Sequence, residues 1–511
     1  MTANVEEVET KYDAPEGAQL PAMDDLPGVL SALRPEPQKL EAEYFDTRDL
    51  RLIRSGITLR RRTGGTDDGW HLKLPVGPNT RREIREPLGT LRQVPEVLLS
   101  LVRSRVRGEQ LQPVAQLMTT RQPVILLGEH DEPLAEVAID DVRAETRGDS
   151  VVVRSWREVE VELTGGSRDL LEAADLSLRR HGLLPAGRAA KLERALGVSA
   201  DEPTRLTLSS ASPAADVIRE YLRARTEVLL SLDPMVRRNE PDAVHQMRVT
   251  TRRLRSVLQA YGAFAGPQSH RLVSELRWLG GVLGAARDAE VLAAHLLADL
   301  DRLPAEQVVG PVRARVQGHF ASVAADDSKA VIAALDSRRY FALLDDLDAL
   351  AAWPAEGLAA QAADSALPAA VARAYRRTRR RARRASSAAA GPATTTAWHD
   401  VRKSAKRARY AAEAVAPALG SDASRFARQM KDVQTALGDY QDTVVVRQTA
   451  RQLGMSAHLS GENAFSYGVL YQLATCDGDE LLADARRVWQ RAARPRYRRW
   501  LAPAREPAPD V

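Results

Sequence analysis

The sequence predicts a multidomain α+β protein, with a strand-rich N-terminal region followed by an all-helical C-terminal region that contains a duplicated unit. Three observations predict it. Short alternating apolar and polar stretches separated by turn residues run from residue 1 to about 197. Beyond about 213 the alternation vanishes, and Ala, Leu, Arg and Asp dominate with apolar residues three and four apart, the spacing of helices. Within that helical region a segment recurs at a constant offset of 154 residues.

At 511 residues the chain is too long for one compact core, so two or three domains are expected. The expected boundaries are 1–197, a linker at 198–213, helices over 214–501 and a flexible tail at 502–511. A hydrophobic content of 44% suffices for packed cores. The single cysteine, Cys476, excludes an internal disulfide, and the opening Met-Thr-Ala-Asn-Val-Glu-Glu is not a charged-then-apolar leader. A reducing, cytoplasmic location is therefore expected. No apolar run approaches the roughly 18 residues that would cross a bilayer. The net charge of +5 is modest, but the pI near 9.3 and the run from Arg376 to Arg384, seven arginines in nine positions, point to anionic partners.

Along the N-terminal region, three strand patterns put charges on one side. Glu7, Glu9 and Lys11 lie two apart, as do Arg60 and Arg62, and again Glu158, Glu160 and Glu162, while the alternates are mainly apolar (Val8; Leu59; Val159, Val161, Leu163). Turn residues punctuate the strands. Asp67-Asp68-Gly69 precedes Trp70-His71-Leu72-Lys73-Leu74, and Gly128 to Pro133 separates two further strands. Gly165-Gly166 ends the Glu158 strand, after which Ser167 or Asp169 caps a helix running to about His181. A charged strand face is by itself what a solvated amphipathic strand shows. Carboxylates gathered on some strands and guanidinium or ammonium groups on others are also what a metal-bound polyphosphate requires, since hard divalent cations take oxygen ligands and phosphate oxygens take Arg and Lys.

In the helical region, His245-x-x-Arg248-x-x-x-Arg252-Arg253-x-Arg255 is matched by His399-x-x-Arg402-x-x-x-Lys406-Arg407-x-Arg409. The same offset carries Arg219, Tyr221 and Arg223 to Arg373, Tyr375 and Arg377, Arg277 to Lys431, and Asp288 to Asp442. Positions 245, 248, 252 and 255 fall on one helix face, so each half is expected to present a basic stripe that opens with a histidine. The segments Leu283-Gly284 and Leu437-Gly438 read as turns, with Asp288 and Asp442 after them placed to orient a histidine or arginine. No Ser, Cys or carboxylate recurs at a nucleophile-like spacing. A symmetric basic cleft suits binding a long polyanion better than cutting it.

The N-terminal motifs resemble the CYTH family, the triphosphate tunnel metalloenzymes, over about residues 4–197. Glu7-x-Glu9-x-Lys11, Tyr44-Phe45-Asp46-Thr47, Leu59-Arg60-Arg61-Arg62, Leu72-Lys73, Arg81-Arg82-Glu83, Arg121, the segment Glu136 to Asp140 and Glu158-x-Glu160-x-Glu162 follow in the family's order. Lys191 sits where the family has Ser-Lys, with Ala190 in place of the serine. The resemblance implies an eight-stranded antiparallel β tunnel with a charged interior and metal-dependent hydrolysis of inorganic triphosphate or a related triphosphate. It implies phosphate contacts from Lys11, Arg60, Arg62, Lys73, Arg81, Arg121 and Lys191. Mg²⁺ or Mn²⁺ would be held among Glu7, Glu9, Glu158, Glu160 and Glu162, with Lys11, Glu9 and Glu160 carrying catalysis. Alternation leaves open which glutamate is the base. An amide at Glu9 or Glu160 is expected to relieve repulsion among the acids, so that the fold holds or gains stability.

The helical region resembles the CHAD domain over about 215–500, on the two histidine-led stripes and the two Leu-Gly-x-x-x-Asp segments. That resemblance implies binding of inorganic polyphosphate. The expected contacts are Arg219, Arg223, His245, Arg248, Arg252, Arg253 and Arg255 in the first half. In the second they are Arg373, Arg377, His399, Arg402, Lys406, Arg407, Arg409 and Lys431. CYTH followed by CHAD is a known bacterial pairing. Nucleic acid is expected only as a non-specific competitor, and no membrane partner is expected. The alternatives are a non-catalytic polyphosphate-binding or granule-associated protein and, on the same tunnel, a class IV type adenylate cyclase.

Overall fold

The computed structural model describes residues 3–23, 25–77, 79–90, 92–148, 151–187, 190–200, 206–266, 268–350, 356–389 and 391–501, and only the backbone of 3–5, 285–291 and 322–326. The expected tail at 502–511, residues 201–205 of the expected linker and the Asp288 side chain thus lie outside the described residues. The chain divides into two compact units, Met1–Thr204 and Arg205–Val511. Among the described residues no helix is long and apolar enough to cross a membrane.

Among the described residues the first unit has ten strands: β1 (Ala3–Ala14), β2 (Ser31–Leu33), β3 (Gln38–Asp46), β4 (Thr58–Thr63), β5 (Gly69–Gly77), β6 (Thr80–Glu86), β7 (Gln112–Leu127), β8 (Pro133–Thr146), β9 (Val153–Leu163) and β10 (Leu184–Pro185). Its helices are α1 (Arg51–Arg54), α2 (Glu96–Val106), α3 (Arg168–Arg180) and α4 (Lys191–Leu196). Eight strands pair antiparallel in the order β1-β6-β5-β4-β3-β7-β8-β9, and β9 pairs back to β1, which closes the barrel. β2 adds to β7 and β10 to β1 at the outside of that ring.

The barrel is covered outside by apolar residues and filled inside by charge. Leu59, Trp70, Leu72, Leu74 and Ile84, the alternates of the charged positions on β4 to β6, pack against Leu98, Leu101 and Val102 of α2. Val159 and Val161 pack with Leu170, Ala174 and Leu178 of α3. Burying the apolar face under helices leaves the other face of every strand to line the interior. Asp46 serves the fold, since its carboxylate accepts backbone N–H bonds from Thr47, Leu52 and Ile53 at 2.7, 2.9 and 2.9 Å and ties down α1. Gly64 adopts φ 83°, and a Cβ there would lie 2.1 Å from the Lys39 carbonyl, so the strand after Arg62 turns only with glycine.

The second unit is helical: α5 (Ala214–Arg237), α6 (Ala243–Tyr261), α7 (Ser269–Asp301), α8 (Val312–Leu335), α9 (Arg338–Ala349), α10 (Ala363–Ala366), α11 (Pro368–Ser386), α12 (Pro392–Leu419), α13 (Ser421–Leu459) and α14 (Phe465–Ala492). The offset of 154 lays α5, α6, α7 and α8 onto α11, α12, α13 and α14, so the duplication extends beyond the segments legible as repeats. Both halves share one core, in which Met247, Leu254 and Leu258 of α6 meet Val401, Ala405 and Ala408 of α12. The Tyr261 hydroxyl donates to the Ala411 carbonyl at 2.9 Å across the halves. The end of the expected linker is fixed to this unit: Ala214 N–H donates to Gln361 O (2.8 Å) and Ala363 N–H to Ser212 O (2.9 Å).

One expectation fails here. Leu283-Gly284 and Leu437-Gly438 are not turns; each lies within a long helix, α7 or α13. Glycine inside a helix costs about 1 kcal/mol relative to alanine, and the compensation is space. The guanidinium groups of Arg248 and Arg402 lie 3.7 and 3.1 Å from where a Cβ would stand on Gly284 and Gly438.

Candidate active site and basic cleft

Register decides which interior charges meet, because cross-strand partners are nearest neighbours on one face. On one wall Glu136 of β8, Glu162 of β9 and Glu9 of β1 stand in a row. One pleat further Glu160 faces Lys11, and beyond them Asp140 faces Glu158. Around the ring Tyr44, Arg60, His71 and Arg85 align across β3, β4, β5 and β6, with Lys73 against Glu83. β6 returns to β1 with Arg81 opposite Glu7. Thus Lys11, Arg60, Arg62, Lys73, Arg81 and Arg121 all project from barrel strands into one interior, and Lys191 reaches it from the first turn of α4.

These charges are paired. Lys11 contacts Glu9 at 3.1 Å and also Glu160, Lys73 contacts Glu7 at 2.5 Å, and Arg62 is held by Asp67. Arg60 lies 3.8 Å from Glu83 and donates to the Tyr44 hydroxyl at 3.3 Å. Arg121 grips Asp140 with two bonds of 2.9 and 2.7 Å and reaches Glu136 and Glu160 as well. Arg81 stands 3.9 Å from Glu9. Such pairing is what a buried charge needs, since an uncompensated one costs several kcal/mol.

The pairing is uneven, and acidities follow it. Burial pushes Glu160 up, but Lys11, Lys191 and Arg121 outweigh burial and hold it well below the usual carboxylate range. Glu9 is likewise pulled down against burial by Lys11, Lys73 and Arg81, and Asp140 by Lys191 and Arg121. Glu7 goes the other way, to about 7: burial leads, Glu83 and Glu162 add repulsion, and Lys73 offsets only some of it. Glu162 is also raised, by burial with Glu9, Glu160 and Glu136 near it. The expectation that an amide at Glu9 or Glu160 relieves repulsion is therefore corrected. Both sit in net attraction, and the relief belongs to Glu7 and Glu162.

Those differences test where a cation fits. Asp140, Glu158 and Glu160 each bring an oxygen within 4.8 Å of the others. Lys191 Nζ lies 2.9, 2.8 and 2.6 Å from these three residues, so they form a cradle for an ammonium group. Glu7 and Glu162 are raised by burial and by neighbouring carboxylates, so a cation's charge beside them would relieve both, while among the described residues the acids gathered closely enough to share one ion are Asp140, Glu158 and Glu160. Of the five glutamates expected to hold a metal, Glu158 and Glu160 thus contact Lys191, Glu9 contacts Lys11 and Glu7 contacts Lys73.

Four interior residues, Glu83, Asp140, His71 and Tyr44, were given no site role in the sequence, although all but His71 lie in the motifs quoted for the resemblance. Glu83, fully buried, is the partner of Arg60, Lys73, Arg85 and His71. Asp140 is equally buried. His71 lies between two acceptors, Glu83 Oε1 and the Asp67 carbonyl, each at 2.9 Å. Burial, with Arg60 and Arg62, pushes the ring down to about 4 against the pull of Glu83, so the neutral ring has one N–H to donate between these two acceptors. Burial would raise the Tyr44 phenol, but Arg60 more than offsets it and lowers it. The available signal was alternation: 71 with 73, 83 with 81, 140 with 136.

In the second unit the two stripes come together. His245, Arg248, Arg252 and Arg255 on α6 and His399, Arg402, Lys406 and Arg409 on α12 are all half-buried. Burial and the charges of Arg252, Arg402, Arg248 and Arg409 push Lys406 down to about 6. Arg252 is lowered by burial, Arg248, Arg255 and Arg402, and Arg255 by burial, Arg277 and Arg407. Arg253 and Arg409 both lie over the Tyr410 ring, at 5.6 and 5.3 Å, and both reach Glu413, at 3.8 and 2.6 Å. Burial with Lys403 and Arg402 lowers His399. Of the other expected contacts, Arg219 and Arg223 are taken by Asp216 and Glu220 on their own helix, while Arg373, Arg377 and Lys431 are exposed.

Comparison with known proteins matches residues 6–195 to the CYTH domain and residues 220–451 to the CHAD domain. "Uncharacterized protein Rv2226" of Mycobacterium tuberculosis is 40% identical over 484 residues, 91% of this chain and 92% of that protein. Among solved structures, PptA from Streptomyces chartreusis is 22% identical with a TM-score of 0.46, covering 55% of this chain and 100% of its own. The CHAD domain from the plant Ricinus communis is 24% identical with a TM-score of 0.40, covering 58% and 94%.

Proposed function

The chain belongs to the CYTH family in its first unit and to the CHAD family in its second, and from that premise we propose that the tunnel hydrolyses inorganic triphosphate or a related triphosphate while the helical cleft binds inorganic polyphosphate. The observation that carries the reading is the closed interior itself, with seven cations facing rows of carboxylates. Arg60, Arg62, Lys73 and Arg81 hold phosphate oxygens on one side of that interior, and Lys11, Arg121 and Lys191 on the other. Glu160 keeps Lys11, Lys191 and Arg121 in place as their shared counter-charge. Glu7, Glu9 and Glu162 would hold Mg²⁺ or Mn²⁺, which would screen phosphate charge and polarise the scissile bond. Glu83 and His71 fix the direction of Arg60 and Lys73 from beneath.

In the cleft, the mutual repulsion of Arg252, Lys406 and their neighbours supports a polyanion as partner, since a chain of phosphates would relieve it. The test is incubation of the purified protein and Mg²⁺ with triphosphate, ATP, thiamine triphosphate and long-chain polyphosphate, followed by product identification. Phosphate release from triphosphate is expected. Cyclic nucleotide from ATP would replace the hydrolase with a cyclase, and absence of turnover together with polyphosphate binding would leave a binding protein.

A further inference from the structure

α11 differs from its duplicate in a way the fold does not demand. α5 carries four arginines and four acids, and pairs them along itself: Arg219 with Asp216, Arg223 with Glu220, and Arg237 with Asp233 at 2.6 Å. α11 has eight arginines in 19 residues and no acid. Among the described residues the carboxylate paired with it is Asp400, 3.9 Å from Arg381. Arg376, Arg380, Arg383 and Arg384 are exposed and lie within about a 100° arc of the helix. Arginines four apart, 376 with 380 and 380 with 384, repel one another and oppose the helix. What holds it is the other face, where Val371, Tyr375, Ala382 and Ala385 are buried in the shared core.

This surface is continuous with the cleft. Arg381 of α11 donates to the Asp400 carbonyl of α12 at 3.3 Å and lies 3.9 Å from the Asp400 carboxylate, and Arg407 of α12 is lowered by burial and by Arg377, Arg381 and Arg277 close to it, as Arg255 is by burial, Arg277 and Arg407. We propose that the outward face of α11 is a second anchoring surface for linear inorganic polyphosphate, joined to the cleft at Arg377 and Arg381. A long chain is then held along both, and a short one in the cleft alone. Two other anionic partners fit less well. Single-stranded nucleic acid is gripped by aromatic platforms, and the aromatic of α11, Tyr375, is buried. A membrane-lying helix needs its apolar face free, and that face is in the core.

The inference rests on the cleft binding polyphosphate, so the experiment separates the two. The full chain and its Arg376→Gln, Arg380→Gln, Arg383→Gln, Arg384→Gln variant are titrated with a short oligophosphate, long-chain polyphosphate and duplex DNA at several salt concentrations. Glutamine keeps helix propensity, and far-UV circular dichroism checks the fold. The expected result is unchanged affinity for the short chain and a loss on the order of tenfold or more for the long one. The salt slope should become shallower by up to about 0.7 for each lost contact, by analogy with single strands. The corresponding fourfold Lys variant should bind nearly as the parent does. Unchanged long-chain affinity, an equal loss for the short chain, or an equal loss for DNA each overturns the second surface. If the parent binds neither phosphate chain, the cleft reading falls, and this inference with it.

Discussion

The tunnel and the cleft both gather cations but handle the resulting charge in opposite ways. Inside the barrel each expected phosphate-binding lysine or arginine has a carboxylate within ion-pair reach. In the cleft Arg252 and Lys406 face mainly like charges, with Glu413 shared by Arg253 and Arg409 at the edge. A ligand entering the tunnel must exchange one set of partners for another, which rewards a particular geometry. A ligand entering the cleft relieves repulsion, which rewards charge density and little else. Selectivity is thus expected in the first unit and chain-length dependence in the second.

The largest effect expected from this contrast is on hydrolysis. Glu9→Gln and Glu160→Gln should each abolish metal-dependent turnover of triphosphate. Glu160→Gln should also destabilise the first unit by roughly 1.5–3 kcal/mol in chemical denaturation, since it removes the carboxylate that Lys11, Lys191 and Arg121 share, although each keeps another partner. Normal turnover with either change would remove these acids from the chemistry. Next in size, Arg252→Glu with Lys406→Glu should weaken long-chain polyphosphate binding by far more than the single changes multiplied together, and spare triphosphate hydrolysis. Multiplicative losses would mean that no one chain bridges the stripes.

A third measurement sharpens the comparison through pH. Glu7 in the folded protein keeps its proton up to about 7, whereas the unfolded chain releases it at the ordinary carboxylate value, so stability should fall as pH rises across that window. The loss at pH 8 is about 3 kcal/mol, and Glu7→Gln should recover most of it while matching the parent below pH 4. Added Mg²⁺ at pH 8 should then stabilise the parent and leave the variant nearly unchanged. A parent as stable at pH 8 as at pH 5 would show that Glu7 is fully compensated. The smallest effect is a fraction of a proton. Lys406, held near 6, opposes folding less as pH climbs from 6 towards the ordinary lysine range, and a bound polyanion should return its charge. Calorimetry in two buffers of different ionisation enthalpy at pH 8 should detect proton uptake on polyphosphate binding, lost in Lys406→Met.

Much of this was legible in the chain. Alternation at Glu7, Glu9 and Lys11, at Arg60 and Arg62, and at Glu158, Glu160 and Glu162 put those charges on common strand faces, and the resemblance to CYTH turned those faces inward. The offset from His245 to His399 gave the duplication without any structure. Glu83 and Asp140 stood in the quoted motifs, and His71 beside Lys73, without a role, because an acid between arginines or a histidine in a strand reads the same whether it is solvated or central. The Leu-Gly pairs misled for a related reason: glycine signals a turn locally, but here it makes room for an arginine from a neighbouring helix.

By itself the sequence determined which residues share a face and which segments are copies, since both are periodicities of the backbone and need no third dimension. Only the tertiary structure decided what those faces meet. The pairing of β1 with β9, about 150 residues away in the chain, closes the ring and sets Lys11 against Glu160 and Glu9 against Glu162. The packing of α6 on α12 likewise brings Arg252 within reach of Lys406. Charge interactions depend on distance and burial, and both are set by contacts remote in sequence.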